Sequence, residues 1–355
     1  MEIVMSESHS NTITSDSAES QSFTRSNLQI GGFDGHRRQL NPAFGIGSIS
    51  RSAWGYVFVV LAVLLWAGNA TVGRLAPESN VPPLALNFWR WMIAFFILLP
   101  VAWPKLRLQR ALLMEHWKLV TLFGVTSVAG FNSALYIGLQ YTTVVQGTLI
   151  SAALPIFVLL GARILLSQLV IARQIVGVVI SILGITITVV RGDLSVLGRM
   201  VLNIGDLWVL LAVCMWAAQT ILVRLVPKNM DLIAFQIASF VVGLTALVPF
   251  YLHETMSGRP MPVTWNAALL VGYAGVAASV IGFTCWNLGV MRIGPQTAGY
   301  FGNLFPVFGA MLGVLLLGET FAWYHALGGA LTLTGIYLAT AIKKIGARSS
   351  SDVAY

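Results

Sequence analysis

Leu61 to Pro77 reads LAVLLWAGNATVGRLAP, and Leu211 to Pro227 reads LAVCMWAAQTILVRLVP. Eight of the 17 positions are identical at a constant offset of 150, among them Trp66/Trp216, Arg74/Arg224 and Pro77/Pro227. A shared apolar bias matches Leu with Leu by chance, but it does not bring a Trp, an Arg and a Pro into one register. A second block repeats at an offset of 151: Gly138/Gly289, Pro155/Pro306, Gly177/Gly328 and Gly184/Gly335. The chain is therefore read as two related halves, neither of which buries its own faces alone.

Composition decides the solvent. Hydrophobic residues make up 57% of the 355 residues and charged residues 10%, where a soluble domain carries roughly 25% charge. The apolar residues fall in runs of about 20, enough to cross about 30 Å of hydrocarbon as a helix. In lipid only helices and closed barrels satisfy the backbone, and runs this long without alternation are helices. Ten spans are expected, at 54–73, 82–103, 117–138, 142–165, 172–190, 205–226, 231–252, 265–288, 295–317 and 322–341. The fold class is an all-α membrane protein. Residues 1–52 are polar and Ser-rich, without the basic start and apolar core of a signal peptide, and are expected to be a disordered tail. The two five-helix repeats then occupy 53–191 and 192–342, and 343–355 form a short tail.

Lys and Arg placement orients the chain. With the N-terminus in the cytoplasm, 16 of the 21 basic residues lie on the inside, four on the outside, and Arg90 within a span. Both termini are thus expected to be cytoplasmic, in a multi-pass protein of the cytoplasmic (inner) membrane. Five spans per half is an odd number, so the second half enters the bilayer from the opposite side and the repeats are inverted. Inverted repeats are a recurring design of secondary transporters, with the substrate near the midplane where the repeats meet.

The net charge of +8 accompanies no nucleic-acid-binding motif, and no nucleic-acid partner is expected. The expected partners are the lipid bilayer and a small-molecule substrate; a homodimer stays open. Cys214 and Cys285 lie in apolar runs without CxxC spacing and indicate no disulfide framework. No GxxxxGK[ST], HExxH, GxSxG or His/Cys metal spacing occurs, so no cofactor and no metal are expected and ATP does not drive the protein directly.

The ten spans, the paired halves, the Trp66/Trp216 segments that open them, Arg90, Pro155/Pro306 and Gly318-Glu319 together resemble the drug/metabolite transporter superfamily, with closest likeness to its EamA-type branch. The likeness covers about residues 54–342, and the first half departs from it by carrying Ser167-Gln168 where the second has Gly318-Glu319. It implies a carrier that exports amino acids or other small metabolites. It also implies a central cavity lined by helices 1–4 and 6–9, with helices 5 and 10 peripheral.

The residues that carry chemistry are few. Arg90 lies about eight residues into its span, roughly 12 Å deep, where a charge is costly and faces a cavity or a partner. The 150 offset places Phe240 at its counterpart, so symmetric packing does not demand an Arg. Arg90 is then an anchor for a substrate carboxylate, or a structural Arg bonded to helix-end carbonyls or reaching the surface. Asn87 shares its face. Asn132, Tyr136 and Gln140 form a polar stripe on the third span, which faces the bundle interior because each unsatisfied amide in lipid costs about 1–3 kcal/mol or more. It either lines a cavity or bonds neighbouring helices. Trp66 with Asn69 and Trp216 with Gln219 give each half an aromatic wall and an amide one turn apart; Trp286, Asn287, Tyr300 and Asn303 add to them. All of these are expected to converge on one central substrate site. Pro155 and Pro306, mid-span, favour kinks that serve either as gating hinges or as static bends. Glu319 and His325 are candidates for proton coupling or solvated loop residues. A channel or facilitator for small polar solutes remains the alternative to a carrier. A membrane-embedded enzyme would require an acid/base or metal set within the spans, and none is found.

Overall fold

The computed structural model describes residues 50–75 and 80–341. Residues 1–49 of the expected N-terminal tail, Pro77 of the repeated stretch and the 343–355 tail lie outside them. Ten helices form the bundle: α1 Arg51–Leu75, α2 Pro83–Glu115, α3 Trp117–Gly138, α4 Val144–Leu165, α5 Ala172–Val189, α6 Ile204–Leu225, α7 Leu232–Met256, α8 Trp265–Ile293, α9 Pro295–Leu317 and α10 Trp323–Thr340. Among the described residues, α1 to α9 are long and apolar enough to cross a membrane; α10 packs along α5. Large apolar side chains such as Phe96, Ile164, Leu183 and Leu315 point outward, more than half exposed, which is the arrangement a lipid solvent asks for. The protein is an all-α membrane protein of two inverted five-helix repeats.

Packing crosses between the halves. The partner of α2 is α7, and that of α5 is α10. Likewise α1 packs on α8 and α9 of the other half, as α6 packs on α3 and α4. Glycines set these crossings. A Cβ on Gly177 would strike the Gly335 carbonyl oxygen and one on Gly184 the Gly328 oxygen, and the reverse holds from α10. The sequence offset pairs Gly177 with Gly328 and Gly184 with Gly335, so the contacts exchange partners as a two-fold axis requires. Gly138 against Gly205 and Gly289 against Gly55 repeat the pattern on α3/α6 and α8/α1.

Three local features depart from regular helix. The chain breaks at Ala152–Ala153 within α4 and at Asn303–Leu304 within α9. Pro155 and Pro306 occupy the first turn after each break, where their missing N–H costs no helical bond. Both α3 and α8 pass through π-helical turns, at Val125–Gly130 and Ala274–Gly282. Helix α2 runs on through Pro100 and Pro104 to Glu115, so the loop expected between positions 105 and 118 is almost entirely helix. Its extension is held by tertiary contacts: Lys105 pairs with Asp231 at 2.8 Å, and Gln109 bonds the Asn229 carbonyl and the Asp231 amide.

Candidate functional site

A cavity of about 370 Å³ lies where the two repeats meet. Ten crossings put Arg51 and Thr340 at one face, the terminal face. The cavity's lining runs from mid-bundle toward the other face, through Asn69 and Ala70 late in α1, Leu139 at the end of α3 and Val144, Gly147 and Thr148 at the start of α4. Val144, 72% exposed, stands at the mouth. Helix α7 contributes nothing to the lining and α5 contributes Ile185, which corrects the expected set of helices 1–4 and 6–9. The cavity is one-sided: α2 lines it and its counterpart α7 does not.

The floor is aromatic. Trp66 meets Trp216 edge to face with ring centres 5.0 Å apart, and Trp286 lies 5.3 and 5.7 Å from the two. Phe131 packs on Trp216 with the rings tilted and their centres 4.7 Å apart. The indole of Trp66 donates to the Ala278 carbonyl at 3.1 Å, tying the first half to the second. Beneath the floor, toward the terminal face, Gln219 Nε2 donates to Asn287 Oδ1 at 2.7 Å, with both side chains fully buried. Trp286 Nε1 donates to the Thr220 hydroxyl, and Arg224 donates to the Met291 carbonyl at 2.6 Å. These bonds hold α6 against α8 and close that side.

Arg90 is set into the wall, 6% exposed. Its Nε donates to the Ser279 hydroxyl at 2.8 Å, and its Nη1 donates to Asn132 Oδ1 at 3.2 Å and to the Tyr136 hydroxyl oxygen at 3.3 Å. Among the described residues its second terminal nitrogen has no hydrogen-bond partner. Among the described residues no carboxylate lies within ion-pair distance of it. The π-helical turn of α8 aims Ser279, whose hydroxyl bonds the Ala274 carbonyl five residues back. Beside Arg90, Trp91 is 1% exposed, lines the cavity and leaves its indole N–H unpartnered. The Asn69 carbonyl oxygen, also at the cavity, is unpartnered.

Of the expected site residues, Arg90, Trp66, Asn69, Asn132, Tyr136, Trp216, Trp286 and Asn303 line this cavity, as does Pro306. Gln219, Asn287 and Tyr300 do not. The first two are joined to each other, and Tyr300, 2% exposed, sits in a small crevice against α5 and α10 with its hydroxyl unpartnered. Pro155 lies in that crevice too. Amides and phenols expected to converge on one site thus divide between wall, lock and helix contact, because helix rotation assigns them and spacing alone does not. Gln140 lies in the turn past the end of α3, exposed, so the stripe stops at Tyr136. Asn87 is buried behind the wall and donates to the Val128 carbonyl and the Ser133 hydroxyl.

The second half makes the matching contact with donor and acceptor exchanged: Thr284 donates to Gln236 Oε1 at 3.4 Å. Counting three residues on from each amide pairs Arg90 with Ser239, not with Phe240; Phe240 matches Trp91, and both rings pack on Phe283. The Arg is absent from the second half in either register. Ser279 was missed in the sequence. Its signal was one hydroxyl in an apolar span that also carries Tyr273 and Thr284, a pattern many helices share. Glu319 and His325 stand outside the lining, where His325 accepts the Ala322 amide at the start of α10. Among the described residues no group of His, Cys, Asp or Glu is placed to hold a metal ion.

Comparison with known proteins matches the EamA-like transporter family twice, over residues 53–190 and again over 203–341. The chain is 24% identical over 278 residues to the uncharacterized transporter YyaM of Bacillus subtilis (strain 168), covering 78% of this chain and 88% of that one. It is 27% identical to an uncharacterized transporter of Archaeoglobus fulgidus, covering 81% and 97%. It is 23% identical to a protein of Escherichia coli (strain K12) named "Probable amino-acid metabolite efflux pump", covering 79% and 93%. A solved crystal structure superposes with a TM-score of 0.66 at 20% identity, covering 82% of this chain and 97% of the other, a likeness of fold.

Proposed function

Since this chain belongs to the EamA-like transporter family, we propose that it is a secondary carrier exporting carboxylate-bearing small metabolites, amino acids or their relatives, across the cytoplasmic membrane by alternating access. One observation carries the substrate class: Arg90 is the sole charged side chain among the described residues lining the cavity. It is held by three neutral partners and, among the described residues, meets no carboxylate. A desolvated guanidinium without a counter-ion is costly, and a substrate carboxylate supplies what is missing, taking the uncommitted nitrogen as one prong of a fork. The tryptophan floor suits an apolar or aromatic substituent on the same molecule. The name of the E. coli relative supports the amino-acid class. The bias of Lys and Arg supports cytoplasmic termini, which turn the cavity mouth outward as the release side of an exporter. Among the described residues lining the cavity there is no acid/base pair to support an enzymatic reading.

Counterflow tests this in proteoliposomes preloaded with unlabelled amino acids, with radiolabelled amino acids outside. Internal amino acid is expected to accelerate entry of the matching label, and its methyl ester to have no such effect. Entry without acceleration would make the protein a channel. Equal acceleration by ester and acid would remove the carboxylate from recognition. For orientation, a reporter cysteine at Leu202, 88% exposed on the non-terminal face, is expected to label from outside intact cells.

A further inference from the structure

We propose that Asn69 and Tyr136 form a gate that closes the cavity mouth in the opposite state of the carrier, and that a carboxylate arriving at Arg90 releases Tyr136 to form it. The inference rests on the carrier reading above.

The two internal offsets define the gate. At 150, Asn69 corresponds to Gln219; at 151, Tyr136 corresponds to Asn287. The second pair is locked: Gln219 and Asn287 are buried, bonded at 2.7 Å, and bind α6 to α8 below the floor. The first pair is apart. Asn69 and Tyr136 both line the open cavity, and α1 and α3 lack the contact that α6 and α8 make at the terminal face. When inverted repeats exchange conformations, the lock of one half opens as that of the other closes. The carriers of that second lock are the residues at the matched positions.

Donor and acceptor chemistry fits. Asn69 Oδ1 has no partner. The Tyr136 oxygen accepts from Arg90 at 3.3 Å, the longest of the three bonds to that guanidinium, and among the described residues its hydroxyl donates to no acceptor. A carboxylate that takes both terminal nitrogens of Arg90 displaces Tyr136, whose hydroxyl then donates to Asn69 Oδ1. The side chain that bonds the empty Arg is the one that seals the mouth over an occupied one. Loading and closure are thereby coupled through one phenol.

The test reads the mouth directly, without a substrate. In protein freed of native thiols by Cys214→Ala and Cys285→Ala, a reporter at Thr148→Cys on the cavity wall is labelled by a hydrophilic maleimide in detergent. Gln219→Ala loosens the closed lock and is expected to lower the ratio of open to closed protein about fivefold, the worth of one hydrogen bond, and so to slow labelling by up to that factor. Asn69→Ala and Tyr136→Phe weaken only the other state and are expected to keep or raise the rate. Adding Asn69→Ala to Gln219→Ala is expected to restore it. Slowing by all three single variants, no slowing by Gln219→Ala, or no restoration in the double variant would each overturn the gate. Because labelling needs no transported compound, failure of the anion reading in counterflow leaves this result interpretable.

Discussion

The crossing of α5 with α10 and the cavity wall at Arg90 are both places where the two halves confront each other, and they treat symmetry in opposite ways. At the crossing, Gly177 and Gly184 meet Gly335 and Gly328 backbone to backbone, and each half supplies the same residues. At the wall, the first half supplies a guanidinium and the second a serine. The first pair of amide and phenol is open while the second pair is shut. Backbone contact tolerates one answer, so both halves give it. A side chain in a cavity is free of that constraint, so the halves diverge there. Asymmetry at this wall lies where side chains face a cavity and not the backbone of a neighbouring helix.

The largest effect is expected where the halves differ most. Arg90→Ala removes the one charge that the described residues place in the cavity lining and is expected to lower affinity by about 2–5 kcal/mol, roughly thirty- to several-thousand-fold. Arg90→Lys is expected to retain part of it, keeping the charge and losing the fork. Transport per folded molecule, measured beside a melting curve in detergent, checks this. Normal transport by an alanine variant that merely melts earlier would make Arg90 a structural residue.

The symmetric region makes the complementary forecast. Gly177→Val forces side-chain atoms onto the Gly335 carbonyl and the Ala339 amide. It is expected to cost about 1–3 kcal/mol, as overpacking does, with substrate affinity unchanged in the protein that survives. Gly309→Ala on α9, where an added Cβ meets nothing within 4 Å, is expected to leave the melting temperature alone. Equal loss at both positions would show that glycine serves flexibility and not close approach.

The smallest effect sits at the rim. Burial pushes the Asp231 carboxyl upward, but the Lys105 ammonium and the Ala234 and Ile233 amides outweigh it and hold the group below its ordinary value of 3.8. A depressed carboxylate contributes stability that is present above the ordinary value and is lost as pH falls through the folded one. Asp231→Asn keeps a helix-capping side chain and removes the ion pair, so it is expected to cost about 0.2–1 kcal/mol. The gap in melting temperature between the variant and the parent should shrink in high salt and below about pH 4. A gap that ignores both would assign the effect to capping alone.

The sequence by itself determined the solvent, the span count and the inversion of the repeats. Each follows from a one-dimensional quantity: run length against bilayer thickness, an odd number of spans per half, and a register that matches Trp66 with Trp216. It determined that Arg90 is costly and unrepeated, since depth and offset are also linear. Tertiary structure alone decided which polar residues share a cavity. Asn132 and Tyr136 reach Arg90, whereas Gln219 turns to Asn287 and Tyr300 to α5, because the rotation of each helix depends on partners in the other half. It decided that Ser279 completes the Arg90 cradle, since a π-helical turn reorients the face that regular spacing would assign. It decided, finally, which side is open. One sequence encodes both locks, and only the packing of α6 against α8 determines which of them is closed.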